Sequence, residues 1–205
     1  MIAVLDYGIG NLRSAEKALQ RVGADARLVS DADEAADADG YVLPGVGAFG
    51  RCMEALQESG LDRVALDAIA ADRPFLGICI GLQMLYYGSE EDPDHRGLGV
   101  VPRMVRRLPA GPKSPQMQWN RVRVRREDSR LFGGSGDGAD GPWLYFVHSY
   151  APEMGPEVVA ECDYGGPVVA AIENGRLWGT QFHPEKSAAA GLGLLGNFVA
   201  ACAVP

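Results

Sequence analysis

The sequence predicts an α/β fold: a central mixed, mostly parallel sheet flanked by helices, with additional antiparallel strands. Two observations lead to this prediction. The first half of the chain alternates short apolar runs with segments of helical spacing, which is typical of parallel strands covered on both faces. The second half contains six strand-like runs and one clearly helical segment, which indicates antiparallel strands that extend or flank the parallel sheet.

The elements of the first half follow from the spacing of apolar residues. A helix places apolar side chains three or four residues apart, as at Leu12, Ala15 and Leu19, whereas a buried strand is a short continuous apolar run. On these criteria we predict strands at 2–5, 26–29, 41–43 and 75–78, and helices at 11–22, 49–58, 61–71 and 81–87.

The second half is richer in strands. We predict strands at 105–108, 122–124, 143–147, 158–161, 168–172 and 177–181, followed by a helix at 192–201. The sequence has no internal repeat, and its 205 residues correspond to little more than one average domain. We therefore expect residues 1–205 to form a single domain.

Composition and charge exclude several functional classes. Hydrophobic residues make up 47% and charged residues 22% of the chain, which is ordinary for a globular protein and excludes a disordered one. The formal net charge of −8 argues against binding of nucleic acid or an anionic membrane surface, because phosphate contacts need a basic surface. No apolar run reaches the ~18 residues expected of a membrane-spanning helix.

The cysteines and histidines do not show a metal-binding pattern. Cys52, Cys79, Cys162 and Cys202 are far apart without a C-x-x-C pair, and the three histidines lack zinc-ligand spacing. The N-terminal segment has no basic region of the secretory type, and Asp6 interrupts its apolar run. We expect free thiols, no bound metal and a cytoplasmic location.

Gly77, Cys79 and Gly81 form the most specific motif. They follow a predicted strand and open a predicted helix, in the Gly-x-nucleophile-x-Gly pattern of a nucleophile elbow with cysteine in place of serine. The flanking glycines permit a tight turn that lifts the sulfur from the sheet, and a helix N-terminus favours the reactive thiolate. The alternative is a core cysteine between two packing glycines.

His183 and Glu185 form a second motif at the end of a predicted strand. A histidine at a strand end can act as the general base for a thiol, and Pro184 favours an extended backbone at His183. In an extended chain the Glu185 carboxylate would lie on the same side and orient the imidazole toward Cys79. Taken alone, the tripeptide favours an ordinary turn; its combination with the cysteine motif favours the catalytic interpretation.

Residues 44–50 contain a glycine pattern with two interpretations. Gly45, Gly47 and Gly50 have the spacing of a dinucleotide-binding fingerprint. That fingerprint also needs a second strand ending in an acidic residue about 20 residues later, whereas residues 61–67 have helical spacing. We favour a flexible strand whose backbone N–H groups face the elbow and form an oxyanion hole, with a plain strand-to-helix turn as the alternative.

Together these residues resemble the class I, triad-type glutamine amidotransferases, and the resemblance runs essentially from end to end. The cysteine and His-Pro-Glu motifs indicate the class. Four further motifs are similar to those of glutaminase subunits that pass ammonia to a (β/α)8-barrel cyclase in histidine biosynthesis. They are Asp-Tyr-Gly-x-Gly-Asn at 6–11, Pro-Gly-Val-Gly at 44–47, Trp-Asn at 119–120 and Lys-Ser at 186–187. The segments that carry the resemblance are 6–11, 44–47, 77–83, 118–120, 145–150 and 183–187.

The resemblance implies roles for individual residues. Cys79 would be the nucleophile, His183 the base and Glu185 the group that orients it. Residues implied at the oxyanion site are Val46, Gly47 and Ile80. Residues implied to hold the substrate glutamine are Gln83, Glu91, His148, Ser149 and Tyr150. Residues implied to lie near the cyclase subunit are Asn11, Trp119, Asn120, Tyr145 and Lys186.

The same resemblance sets the expected partners. It implies glutamine as substrate, a heterodimer with the cyclase subunit, no metal or organic cofactor, and no nucleic acid or membrane. One departure concerns the interface: the family usually has His-Met-Gly-Trp-Asn, whereas residues 116–120 read Gln-Met-Gln-Trp-Asn. Two alternatives stay open. One is a different enzyme, either a glutaminase for another synthase such as the vitamin B6 synthase or a cysteine hydrolase of similar fold; the other is a non-catalytic binding protein of the same fold.

Overall fold

The computed structural model describes residues 1–109, 113–134 and 141–203. Its strands are β1 (Ile2–Leu5), β2 (Ala26–Val29), β3 (Gly40–Gly45), β4 (Phe75–Cys79), β5 (Tyr86–Ser89), β6 (Asp92–Arg96), β7 (Val101–Arg107), β8 (Gln116–Val124), β9 (Trp143–His148), β10 (Tyr150–Pro152), β11 (Val158–Asp163), β12 (Pro167–Asn174) and β13 (Leu177–Thr180). Its α-helices are α1 (Leu12–Arg21), α2 (Ala32–Ala35), α3 (Phe49–Glu58), α4 (Leu61–Ala70), α5 (Ile80–Met84) and α6 (Ala188–Cys202).

The main sheet has nine strands in the order β2-β1-β3-β4-β13-β12-β11-β8-β9. The pairings from β2 to β13 are parallel, and those from β13 to β9 are antiparallel. This confirms the predicted α/β fold with a mixed sheet flanked by helices. The main sheet thus has as many antiparallel pairings as parallel ones. The change of direction occurs at β13, which pairs in parallel with β4 on one side and antiparallel with β12 on the other.

A second, four-stranded sheet has the order β10-β7-β5-β6. The sequence did not predict β5, β6 or β10, and the helix predicted at 81–87 extended into the first residues of β5. That helix ends at Met84, because the carbonyls that would continue it accept hydrogen bonds from another segment. The Leu98 N–H donates to the Met84 carbonyl at 2.7 Å, and the Val101 N–H donates to the Leu85 carbonyl at 3.0 Å.

Several other elements are longer than their apolar patterns suggest, and two of them differ most. The strand predicted at 122–124 begins at Gln116, because its polar first half pairs along its length with β9 and does not depend on burial of alternate residues. The helix predicted at 192–201 begins at Ala188, where a run of alanines and glycines gives no apolar periodicity. No helix in the described part of the chain is long and apolar enough to cross a membrane.

The parallel register brings distant parts of the chain to one edge of the sheet. Gly45 at the end of β3 pairs with Cys79 at the end of β4, and Thr180 at the end of β13 lies opposite Ile78. The carboxyl ends of parallel strands are where ligands bind in open α/β sheets. The two motifs found in the sequence, at Cys79 and at His183, therefore lie at the same edge.

Candidate active site

Cys79 lies on a tight strand-to-helix turn between β4 and α5. Its backbone has φ 55° and ψ −110°, a region that residues with a side chain rarely adopt. The neighbouring glycines are required by close backbone approaches. A Cβ at Gly77 would lie 2.8 Å from the Gly81 carbonyl oxygen, and one at Gly81 would collide with the Leu43 carbonyl. Gly45 is equally confined, because a Cβ there would lie 2.7 Å from the Tyr7 hydroxyl.

His183 follows β13 and is held against both β9 and Glu185. Its backbone N–H donates to the Tyr145 carbonyl at 2.9 Å, and its Nδ1 lies 2.7 Å from Glu185 Oε1. Both side chains are almost fully buried. The chain does not stay extended as expected: His183 itself is extended, but Pro184–Lys186 form a short 3₁₀ helix. The Glu185 carboxylate therefore reaches His183 Nδ1 through this helical turn, and not through an extended strand.

The imidazole of His183 is in an environment that favours its charged form. Burial alone would lower the pKa of His183, but the Cys79 sulfur as a thiolate and the Glu185 carboxylate outweigh it, and the pKa is raised. Because Nδ1 is engaged by Glu185, Nε2 is the nitrogen left for proton transfer. This buried Nε2 has no hydrogen-bond partner among the described residues. The arrangement can take a proton from the Cys79 sulfur and hold the resulting cation.

A cavity of about 250 Å³ lies above Cys79. Its walls come from β9, from the turns after β3 and β4, and from the β5–β6 connection. The lining residues are Val46, Gly47, Cys79, Ile80, Gln83, Glu91, Pro115, Val147, His148, Ser149, Tyr150 and His183. Every residue expected at the oxyanion site and every residue expected to hold the substrate therefore faces the same cavity as Cys79.

Gln83 is held by the protein itself. Its Nε2 donates to the Tyr150 carbonyl at 2.9 Å and to Gln181 Oε1 at 3.0 Å, and its own Oε1 is buried without a partner in the described part of the chain. Oε1 of Gln83 is thus available to accept a hydrogen bond from a ligand, whereas its NH₂ group is already engaged. Sequence reasoning missed Gln181, whose Nε2 lies 3.7 Å from the Cys79 sulfur; its position inside a predicted strand gave no signal.

Glu91 and His148 are fixed by backbone groups. Glu91 Oε2 accepts the Phe49 N–H at 2.9 Å and so caps the first turn of α3. Nδ1 of His148 lies 2.8 Å from the Tyr150 carbonyl, which makes Nδ1 the protonated nitrogen and leaves a lone pair on the buried Nε2. Burial lowers the pKa of His148 to about 4, so the ring is neutral near pH 7.

The residues expected at the partner interface do not all share one face. The ring of Trp119, which is 44% exposed, packs in a T-shaped arrangement with that of Tyr145, its cross-strand partner, at a centroid distance of 6.1 Å. Asn120 points to the opposite face and donates to the Asp163 carbonyl at 2.9 Å. Asn11 and Lys186 are exposed, and Asn11 accepts a hydrogen bond from Ser14 at the start of α1.

The β8–β9 ribbon carries more exposed apolar surface than the sequence indicated. Met117 and Trp143 are 62% and 52% exposed, and sequence reasoning singled out neither. Met117 shares the face of Trp119 because residues two apart in a strand point the same way. The departure from the family pattern at 116–120 leaves a regular strand, in which Gln116 is buried and its Nε2 lies 3.9 Å from the Cys162 sulfur.

Comparison with known proteins decides the family. The model of the family "Glutamine amidotransferase class-I" matches residues 3–202. This chain belongs to the class I glutamine amidotransferases. The membership expected from the sequence motifs is thus confirmed.

Curated relatives narrow the assignment further. Proteins named "Imidazole glycerol phosphate synthase subunit HisH" are 49% identical in Methanothermobacter thermautotrophicus, 50% in Halobacterium salinarum and 46% in Thermobifida fusca. These alignments cover 97%, 98% and 97% of this chain and 98%, 94% and 97% of the relatives. The chain is therefore a member of the HisH family of synthase subunits.

Solved structures agree on the fold. A structure described as a glutamine amidotransferase has a TM-score of 0.76 at 20% identity and covers 98% of both chains. The PurLQS structure from Thermotoga maritima has a TM-score of 0.69 at 19% identity, over 98% of this chain and 95% of that one. At such identities the likeness concerns the class I amidotransferase fold alone.

The buried, neutral His148 predicts a specific pH dependence of stability. Because the pKa of His148 is about 4 in the folded protein and about 6.5 when unfolded, acidification through this window adds a proton to the unfolded state first. We expect His148→Gln to reduce the loss of unfolding free energy between pH 6.5 and pH 4 by up to about 3 kcal/mol. Denaturant titrations of both proteins across this range test it; equal pH slopes would contradict it.

Proposed function

We propose that this chain hydrolyses glutamine to glutamate and supplies the ammonia to the (β/α)8-barrel cyclase subunit of imidazole glycerol phosphate synthase, in histidine biosynthesis. One observation carries the proposal: Cys79, on its strained turn, and His183 line the same cavity, and Nδ1 of His183 lies 2.7 Å from Glu185 Oε1. The HisH relatives, at 46–50% identity over nearly the whole chain, favour this synthase over another ammonia-using one.

In the proposed reaction, His183 Nε2 takes the thiol proton of Cys79, and the sulfur attacks the carboxamide carbon of glutamine. The tetrahedral intermediate collapses to a γ-glutamyl thioester, and ammonia leaves with the proton held by His183. Water then attacks the thioester carbon while His183 accepts the water proton. Cys79 leaves as the thiolate and is reprotonated by His183, which releases glutamate.

The oxyanion of each tetrahedral intermediate needs backbone donors. Neither the Val46 N–H nor the Gly47 N–H donates to another group in the described part of the chain, and Gly47 adopts a positive φ of 109°. The Ile80 N–H is at the first residue of α5, directly after Cys79. We assign these three N–H groups to the oxyanion site, where one donor is worth on the order of 10²–10³ in rate.

The β8–β9 ribbon supports the proposed partner contact. The exposed surfaces of Trp119, Met117 and Trp143 lie on strands that end at the cavity, where the Val147 carbonyl is 4.0 Å from the Cys79 sulfur. Large exposed apolar side chains on one ribbon are typical of a protein–protein interface. Together with Asn11, Tyr145 and Lys186, this ribbon is the proposed contact with the cyclase.

Replacement of the nucleophile should separate glutamine hydrolysis on this chain from ammonia-dependent synthesis on the cyclase subunit. We expect Cys79→Ala, assembled with the cyclase subunit, to lose glutamine-dependent synthesis but to keep ammonia-dependent synthesis, since the cyclase chemistry needs only ammonia. The measurement is product formation with glutamine and with ammonium salt as alternative nitrogen sources. Near wild-type glutamine hydrolysis by the variant would refute Cys79 as the nucleophile.

The two other members of the triad should differ in importance. We expect Glu185→Gln to lower kcat less than His183→Ala does, because the imidazole transfers the proton and the carboxylate orients it and stabilises its cation. A glutamine side chain can still hydrogen-bond to Nδ1. Steady-state kinetics of both complexes provide the comparison, and a greater loss at Glu185 than at His183 would reverse these roles.

A further inference from the structure

Gln181 contacts the sulfur of Cys79 from the side of the sheet. It follows the last residue of β13 and is fully buried, and its backbone N–H donates to the Ala170 carbonyl of β12 at 2.8 Å. From this anchored backbone its side-chain Nε2 reaches to 3.7 Å from the Cys79 Sγ. An amide N–H at this distance is a hydrogen-bond donor to sulfur.

Gln83 fixes which end of the Gln181 amide faces the sulfur. Gln83 Nε2 donates to Gln181 Oε1 at 3.0 Å and also to the Tyr150 carbonyl at 2.9 Å. Because the Tyr150 carbonyl can only accept, the Gln83 amide is oriented with its NH₂ group toward Gln181. The oxygen of Gln181 must then face Gln83, and its NH₂ group must face Cys79.

Other sources of stabilisation for a thiolate at Cys79 are limited. The helix that opens after the cysteine, α5, has five residues, so its dipole is much smaller than that of a full-length helix. The titratable groups that surround the sulfur on the neighbouring elements are Tyr7, Cys52, Glu91, His148, Tyr150 and His183.

Of these groups, His183 alone becomes a cation near neutral pH. His148 is neutral, because burial lowers its pKa to about 4, and Glu91 carries a negative charge when ionised. Burial raises the pKa of both Tyr7 and Cys52, which keeps them uncharged. Among the described residues, the neutral, oriented N–H donor of Gln181 is therefore a second favourable contact for the thiolate, beside the His183 cation.

We propose that Gln181 is a catalytic residue that donates a hydrogen bond from Nε2 to the Cys79 sulfur, and that Gln83 is the positioning residue that orients it. The hydrogen bond stabilises the thiolate formed when His183 takes the thiol proton. It does so again when the thiolate leaves during hydrolysis of the thioester. Gln181 gives up no proton in either step. This inference rests on the proposed glutaminase function.

The test is the pH dependence of Cys79 alkylation by iodoacetamide in the full chain. Peptide mass spectrometry separates Cys79 from the other three cysteines, which are Cys52, Cys162 and Cys202. Gln181→Met removes the donor at similar volume, and we expect it to raise the midpoint of alkylation by about one pH unit. Gln181→Glu keeps the acceptor for Gln83 but adds a negative charge, and we expect a larger increase.

The same variants should affect glutamine hydrolysis in the complex with the cyclase subunit. For Gln181→Met we expect kcat/KM to fall about tenfold near pH 7 and to approach the wild-type value as the pH rises. Loss of a merely structural side chain would lower kcat/KM equally at all pH values. That pattern, with an unshifted alkylation midpoint, would overturn the inference.

Gln116 supplies a matched control. It is also a buried glutamine whose Nε2 lies 3.9 Å from a cysteine sulfur, that of Cys162. We expect Gln116→Met to leave the alkylation midpoint of Cys79 unchanged; an equal shift there would overturn the inference. If wild-type complex does not hydrolyse glutamine, the proposed function fails. If it does, and both Gln181 variants match wild type, only the role of Gln181 fails.

Discussion

The backbone turn at Cys79 is the constraint on which the rest of the site depends. A residue with a side chain at φ 55° and ψ −110° costs about 1–3 kcal/mol, and surrounding structure must hold it there. Here β3 and β13 hold β4 on both sides in parallel register, and backbone atoms fill the space where Gly77 and Gly81 lack a Cβ. The strain keeps the sulfur at the cavity instead of in the core.

The position of β13 in the sheet connects this turn to the remaining groups. It pairs in parallel with β4 and antiparallel with β12, so it is the boundary between the two halves of the sheet. The residues directly after it, Gln181 and His183, both reach Cys79 or its cavity. The His183 N–H in turn donates to the Tyr145 carbonyl, which fixes β9 and the ribbon proposed to meet the partner.

Sequence reasoning identified the parts of the site that depend on local chemistry. The glycines beside Cys79 and the spacing of His183 and Glu185 are encoded within a few residues, and the parallel half of the fold followed from apolar runs. The contacts missed are those set by tertiary structure. Gln181 has no feature in the sequence that separates it from other strand residues; its role depends on the contact with Gln83. The helix predicted at 81–87 ends early and β5 begins at Tyr86, because residues 97–101 hydrogen-bond to the backbone there. Likewise, exposure of Trp143 depends on the pairing of β8 and β9.

The most direct test of the account is detection of the covalent intermediate. The complex with the cyclase subunit is incubated with isotopically labelled glutamine, quenched in acid and digested, and the peptide that contains Cys79 is analysed by mass spectrometry. We expect one labelled glutamyl group on Cys79 as a thioester that hydroxylamine removes, and none in Cys79→Ala. A complex that turns over glutamine while its glutamyl label is found on another residue, or persists in Cys79→Ala, would contradict it.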